Sequence, residues 1–109
     1  MFKEGSIINN QEQEEKVMKN TAEFRNALNE NRLEEAERFL TEVASNPDKF
    51  SQYDARWLDH RQRELFQSFY KEEDWQGAKR VVEATVDIRS RDGRKFRLEE
   101  LSGISFEEI

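Results

Sequence analysis

Residues 24–40, FRNALNENRLEEAERFL, recur in pattern at residues 66–82, FQSFYKEEDWQGAKRVV, and that recurrence decides the fold. Sliding the chain against itself by 42 residues lays Phe24 on Phe66, Ala27 on Phe69, Leu28 on Tyr70, Leu33 on Trp75, Ala36 on Ala78, Arg38 on Arg80 and Leu40 on Val82. Within each copy the apolar residues return every three or four positions, the spacing of one helical face, and the polar run between Leu28 and Leu33, or between Tyr70 and Trp75, reads as a turn. Each copy is therefore a helical hairpin. Ala36 and Ala78 each stand three residues after a large apolar residue, where a small side chain lets the paired helix approach closely.

Working outward, the first helix is expected to start near Asn9 or Asn10, either of which suits a cap, and to carry Val17, Thr21, Phe24, Ala27 and Leu28 on one face as far as about Glu30. Residues 1–9 show no periodicity and are expected to be flexible. A second helix is predicted over Leu33–Ser45, with Leu33, Ala36, Phe39, Leu40 and Val43 as its stripe and Asn46-Pro47-Asp48 as its stop, because proline disfavours helical geometry in the residue before it and has no amide hydrogen to donate. Ser51 is the expected cap of a third helix over about 53–71, with Asp54 at the negative position of that turn. Its Trp57, Leu58, Leu65, Phe66, Phe69 and Tyr70 supply the bulk of the core. Asp74 is the expected cap of a fourth helix, which presents Trp75, Ala78, Val81, Val82 and Thr85 on one side.

The period changes after residue 85. Val86–Ser90 and Arg94–Leu98 pair well as a β-hairpin around a loop ending in Gly93, with Ile88 opposite Phe96 and Val86 opposite Leu98. The competing reading continues the fourth helix through Ile88 and places a short helix over Phe96–Leu101, ended by Gly103. The hairpin is preferred here. The expected fold is thus all-α dominated: two helical hairpins over about 10–46 and 53–86, a basic segment 87–98 within the same domain, and a loosely held tail at 102–109.

Asn31-Arg32-Leu33-Glu34-Glu35-Ala36 and Glu73-Asp74-Trp75-Gln76-Gly77-Ala78 resemble the second-helix pattern of the tetratricopeptide repeat (TPR), in which a large residue precedes a close-packed alanine with an apolar residue four further on. The resemblance covers about residues 20–86 with a spacing longer than the 34 residues of that repeat. It implies a TPR-like array binding another protein or peptide in a groove between helices.

Composition narrows the function further. The 109 residues are 35% hydrophobic and 39% charged, and include eight Phe, two Tyr and two Trp, a content that favours one folded domain over a disordered chain. There is no cysteine, which removes disulfides and thiolate chemistry, and a reducing, cytoplasmic location is the expectation. No apolar run reaches the ~20 residues of a membrane span. The single histidine, His60, lacks a partner serine or second ligand nearby, and the four glycines build no phosphate loop. The chain is read as a non-enzymatic binding module without cofactor or metal.

Its net charge of −6 is uneven: residues 88–97 carry Arg89, Arg91, Arg94, Lys95 and Arg97 against Asp92 alone, a local +4 that leaves −10 for the remainder. These five cations are the leading candidates for partner contact, with Phe50 and Tyr53 in the connection as aromatic candidates. Trp57 and Trp75 fit the core better, beside Phe24, Leu28, Leu33, Ala36, Leu40, Leu65, Phe66, Phe69, Ala78 and Val82. Another protein, or a second copy meeting an unfinished stack of repeats, is the expected partner. The alternative is nucleic acid held by residues 89–97.

Overall fold

A computed structural model describes residues 21–109. The expected flexible start, the cap at Asn9 or Asn10 and Val17 lie outside them. The described chain forms five helices, α1 (Thr21–Asn29), α2 (Leu33–Ser45), α3 (Ala55–Lys71), α4 (Trp75–Ala84) and α5 (Ile88–Ser102), and a final 3-10 turn over Phe106–Glu108. No strand occurs among the described residues.

The two predicted hairpins share one turn geometry. Asn31 and Glu73, 42 residues apart, both adopt the left-handed conformation, with φ of 60° and 58°. In the first hairpin the Arg32 amide donates to Ala27 O at 2.8 Å and the Asn31 amide to Leu28 O at 3.1 Å; in the second, Asp74 donates to Phe69 O at 2.9 Å and Glu73 to Tyr70 O at 3.0 Å. Both are Schellman turns, which satisfy the last carbonyls of one helix while reversing the chain. Asp74 then caps α4 by accepting from the Gly77 amide at 3.0 Å, whereas Arg32 makes no side-chain cap for α2.

The third helix begins two residues later than expected. Asp54, not Ser51, is its cap, accepting the Trp57 amide at 2.8 Å. Asp87 repeats that role before α5, accepting the Ser90 amide at 2.9 Å, so the caps of α3 and α5 lie 33 residues apart. The nine residues by which the first spacing exceeds the second divide into three from the longer α2, which has 13 residues against 10 in α4, and six from the longer connection 46–54 compared with 85–87.

Residues 86–98 do not form the β-hairpin. Asp87 starts a helix, its Arg, Lys, Leu and Glu residues favour one, and the lone Gly93 costs about 1 kcal/mol without breaking it. Gly103, with φ of 72°, ends α5 as the competing reading placed it, but the helix is continuous from Ile88 rather than beginning at Phe96. Tertiary anchoring decides the matter: Leu98 is fully buried and Arg94 nearly so, on one side of α5, whereas a strand would turn Leu98 and Arg94 alike onto the face shared by Phe96. Ile88 and Phe96, the pair that the hairpin would have joined, are each 66% exposed.

Polar contacts sort the helices into two layers. Trp57 Nε1 donates to Thr21 Oγ1 at 2.9 Å and Arg25 pairs with Glu64 at 3.0 Å, joining α1 to α3; Arg94 and Ser90 join α5 to α3. Across the other layer, Arg80 grips both Glu37 oxygens at 2.8 and 3.1 Å, joining α4 to α2. The core lies between the layers. Phe24, Ala27, Leu33, Ala36, Phe39, Leu40, Val43, Leu65, Phe66, Phe69, Ala78, Val81, Val82 and Leu98 are buried there, while Leu28, Trp57 and Trp75 pack half-buried at its margin. Each large member contributes roughly 1.5–3 kcal/mol.

The last residues are held rather than loose. Phe106 accepts cationic cover from Lys79 at 4.9 Å and Lys95 at 5.4 Å, its amide donates to Glu99 Oε2 at 2.8 Å, and Ile109 packs on the core.

Candidate functional site

The five cations of the basic segment do not share one face. A helix turns about 100° per residue, so their spacing scatters them around α5, and the packing of Leu98 fixes which of them turns inward. That residue is Arg94, 8% exposed. Its Nη1 donates to Thr85 Oγ1 at 3.0 Å and its Nη2 to the Asp59 carbonyl at 2.9 Å. Nη1 also lies 3.1 Å from Asp59 Oδ1, an ion pair outside hydrogen-bond alignment. Thr85 in turn donates to Val81 O at 2.8 Å, and Ser90 donates to Asp59 Oδ2 at 3.2 Å. One guanidinium thus fastens the end of α4 and the second turn of α3 to α5.

The other four divide. Lys95 turns toward the final turn, 3.7 Å from Glu107 and over Phe106. Arg91 is exposed away from the neighbouring helices. Arg89 and Arg97 line a groove between α3 and α5 that encloses about 390 Å³. Arg63 and His60 of α3 line it too, and Phe66, Gln67 and Tyr70 contribute the rest of that wall. The one acid on its lining is Asp59, already held by Arg94 and Ser90. Arg97 has Glu100 at 3.3 Å, both side chains more than half exposed, a pair worth no more than about 1 kcal/mol. Arg63 and Arg89 have no ion-pair partner among the described residues.

A second groove, of about 450 Å³, lies between α1 and α3 and shares Gln67 with the first. Its charges balance, Arg25 and Lys71 against Glu64 and Glu72, and Arg25 is tied to Glu64. Glu64 also lies 3.1 Å from Arg61 Nε. The layer formed by α1, α3 and α5 therefore presents a neutral groove on one flank of α3 and a cationic one on the other. Between α2 and α4 a gap of about 110 Å³ is lined by Leu40, Leu65 and Val81 and bridged by the Glu37–Arg80 pair, and at the turn end an opening of about 410 Å³ is lined by Leu33, Glu34, Glu35, Arg38 and Asp74, where acids outnumber cations.

Phe50 and Tyr53 lie outside both grooves. They are half-buried in an aromatic cluster: Tyr53 stacks on Trp57 with centroids 4.0 Å apart, Phe50 stacks on Tyr53 at 6.3 Å, and Phe39 meets all three rings edge-on at 6.0–6.2 Å. Burial raises the Tyr53 hydroxyl above the ordinary tyrosine range. Arg63 escaped the sequence reading because it belongs to a different helix from the basic run. Only side-by-side alignment of α3 and α5 on their aspartate caps, Asp54 and Asp87, brings the two sets of arginines together.

Among the described residues no group of His, Asp and Glu has the arrangement of a metal site, and no helix is long and apolar enough to cross a membrane. In comparisons with known proteins the chain matches no family model, no curated protein and no solved structure.

Proposed function

We propose that this chain is a TPR-like helical array that binds a segment of another protein along the layer formed by α1, α3 and α5. The observation that carries the reading is the pair of open grooves flanking α3, of about 450 and 390 Å³, the second lined by Arg63, Arg89 and Arg97 with Asp59, already held by Arg94 and Ser90, as its one acid. Stacked hairpins with open grooves between neighbouring helices suit peptide capture.

Selection of displayed random peptides on the immobilised protein, followed by NMR shift mapping of the winners, tests this. Perturbations should gather on Arg63, Gln67, Tyr70, Arg89 and Arg97. Perturbations centred on α2 and α4 would refute it. The nucleic-acid alternative draws less support, since burial of Arg94 and dispersal of Arg91 and Lys95 leave no continuous basic stripe.

A second reading, pairing with another copy, is favoured by the exposure of Val86 at 85% and of Ile88 and Phe96 at 66% each, large apolar residues at the open end of the stack. Light scattering across a concentration range tests it. A dimer that Phe96→Glu converts to monomer supports this pairing, and a monomer throughout excludes it.

A further inference from the structure

The geometry points to a specific ligand class for the α3–α5 groove: an extended, acidic peptide stretch of another protein, its carboxylates held by Arg63, Arg89 and Arg97. This rests on the peptide-binding reading above and adds the chemistry of the ligand. Three observations support it.

The groove's charge is neither neutralised from within nor spread along the surface. Arg94 and Asp59 consume each other, and Arg63 and Arg89 make no ion pair within 4 Å among the described residues, Asp87 acting on Arg89 only from a greater distance. The Arg97–Glu100 contact at 3.3 Å is exposed enough to exchange for a ligand carboxylate. Guanidinium groups offer paired donors that match a carboxylate, and such charge-assisted bonds are about twice as strong as neutral ones.

The dimensions select a short ligand. The α3 wall runs from Asp59 to Tyr70, about 16 Å at the helical rise. An extended chain covers that distance in about five residues. Beyond Arg63 on the α3 wall, the half-buried Tyr70, edge-to-face with the buried Phe66 at 5.2 Å, adds an aromatic surface that suits one apolar side chain beside the acids.

The surroundings disfavour a longer polyanion. The neighbouring groove across Gln67 adds no net positive charge, Arg25 and Lys71 being balanced by Glu64 and Glu72, and the chain as a whole carries −6. A nucleic-acid strand extending beyond the groove would gain no further net cationic contact there, whereas a peptide whose acidic stretch matches the groove needs none.

The test uses the full chain and fluorescence anisotropy with three labelled probes of about ten residues. One probe has Glu and Asp flanking a central Leu, the second replaces every acid with Gln or Asn, and the third is a single-stranded oligonucleotide. The acidic peptide should bind at least about tenfold more tightly than its amide analogue and weaken as salt rises. Arg63→Glu and Arg89→Glu should each remove most of that preference, while Arg38→Glu on α2 leaves it intact. Arg63→Gln and Arg89→Gln, which avoid new repulsion, should reduce it in the same order, and circular dichroism verifies that each variant is folded.

Equal binding of acidic and amide peptides, with shifts still confined to the groove, would overturn the acidic specificity and leave the groove reading standing. Failure of every peptide to bind would sink both. An oligonucleotide that binds more tightly through the same arginines would replace the peptide with nucleic acid as the ligand.

Discussion

Gly77→Ala is expected to destabilise this protein, although alanine is the better helix former. A Cβ built on Gly77 would lie 2.4, 2.5 and 2.8 Å from the Cδ1, Cε1 and Cγ atoms of Phe69. Relieving that overlap requires a shift of about 1 Å to reach ordinary contact. Phe69 is 1% exposed and cannot swing into solvent, so α4 must move against α3. Overpacking of this kind costs typically 1–3 kcal/mol, against a gain of up to about 1 kcal/mol from helix propensity.

The expected net loss is about 1–2 kcal/mol, read as a lower urea midpoint at unchanged slope. The first hairpin supplies the internal control. There the equivalents of Phe69 and Gly77 are Ala27 and Glu35, so the small residue sits on the other helix and the Cβ is accommodated. In a Phe69→Ala background the Gly77→Ala step should therefore reverse sign and stabilise by up to about 1 kcal/mol. If Phe69→Ala proves too unstable to measure, Phe69→Leu should at least halve the penalty. A Gly77→Ala single variant as stable as the parent, with no sign change across the cycle, would refute the close-packing argument.

Glu73 holds a left-handed backbone, so Glu73→Gly should stabilise the turn by up to about 1 kcal/mol, seen as a higher urea midpoint. Arg94→Leu should cost about 2–3 kcal/mol by the same assay, because it removes the buried donors to Thr85 Oγ1 and the Asp59 carbonyl and the cation beside the Asp59 carboxylate; a neutral result would show that the cation is dispensable to the junction of α3, α4 and α5. The Asp87 carboxyl is held below the ordinary carboxylate range, first by the hydrogen bond from the Ser90 amide. A depressed folded-state value places its contribution above the unfolded range of about 4 and removes it as pH falls through the lower folded value. NMR titration of the Ser90 amide should follow that acidic step, and Asp87→Asn should abolish it while retaining the cap.

The hairpins were legible because their signals are local. Apolar spacing, the asparagine turn and the Asp74 cap lie within a few residues of the bonds they control, and a single offset carried the first turn's geometry onto the second. The last helix was misread for a comparable reason. Ile88 and Phe96, eight residues apart, align equally well on a strand pair and on one helical flank, and the deciding contacts come from another part of the chain. Arg94 and Leu98, four apart, form the buried stripe of α5, but an arginine there is not recognisable as a core residue until Thr85 and Asp59 are placed beside it. The groove was half visible. Its α5 arginines stood out as a run, whereas Arg63 joins them only through packing.

Helix α3 contacts each of the other four, through Thr21 and Arg25 of α1, the faces of α2 and α4, and Ser90 and Arg94 of α5. Its amides can exchange with solvent only when several neighbours have separated, so they should report the global opening of the molecule, whereas those of α5 and the final turn open against fewer partners. A stack joined mainly between adjacent helices also closes short loops first, which favours rapid assembly from the hairpins outward. The groove is then built last, when α5 docks on a hairpin pair already formed. Occupation of that groove would clamp α5 to α3 and slow the fraying of the chain's final helix, making the exchange rate of α5 a direct gauge of the bound state.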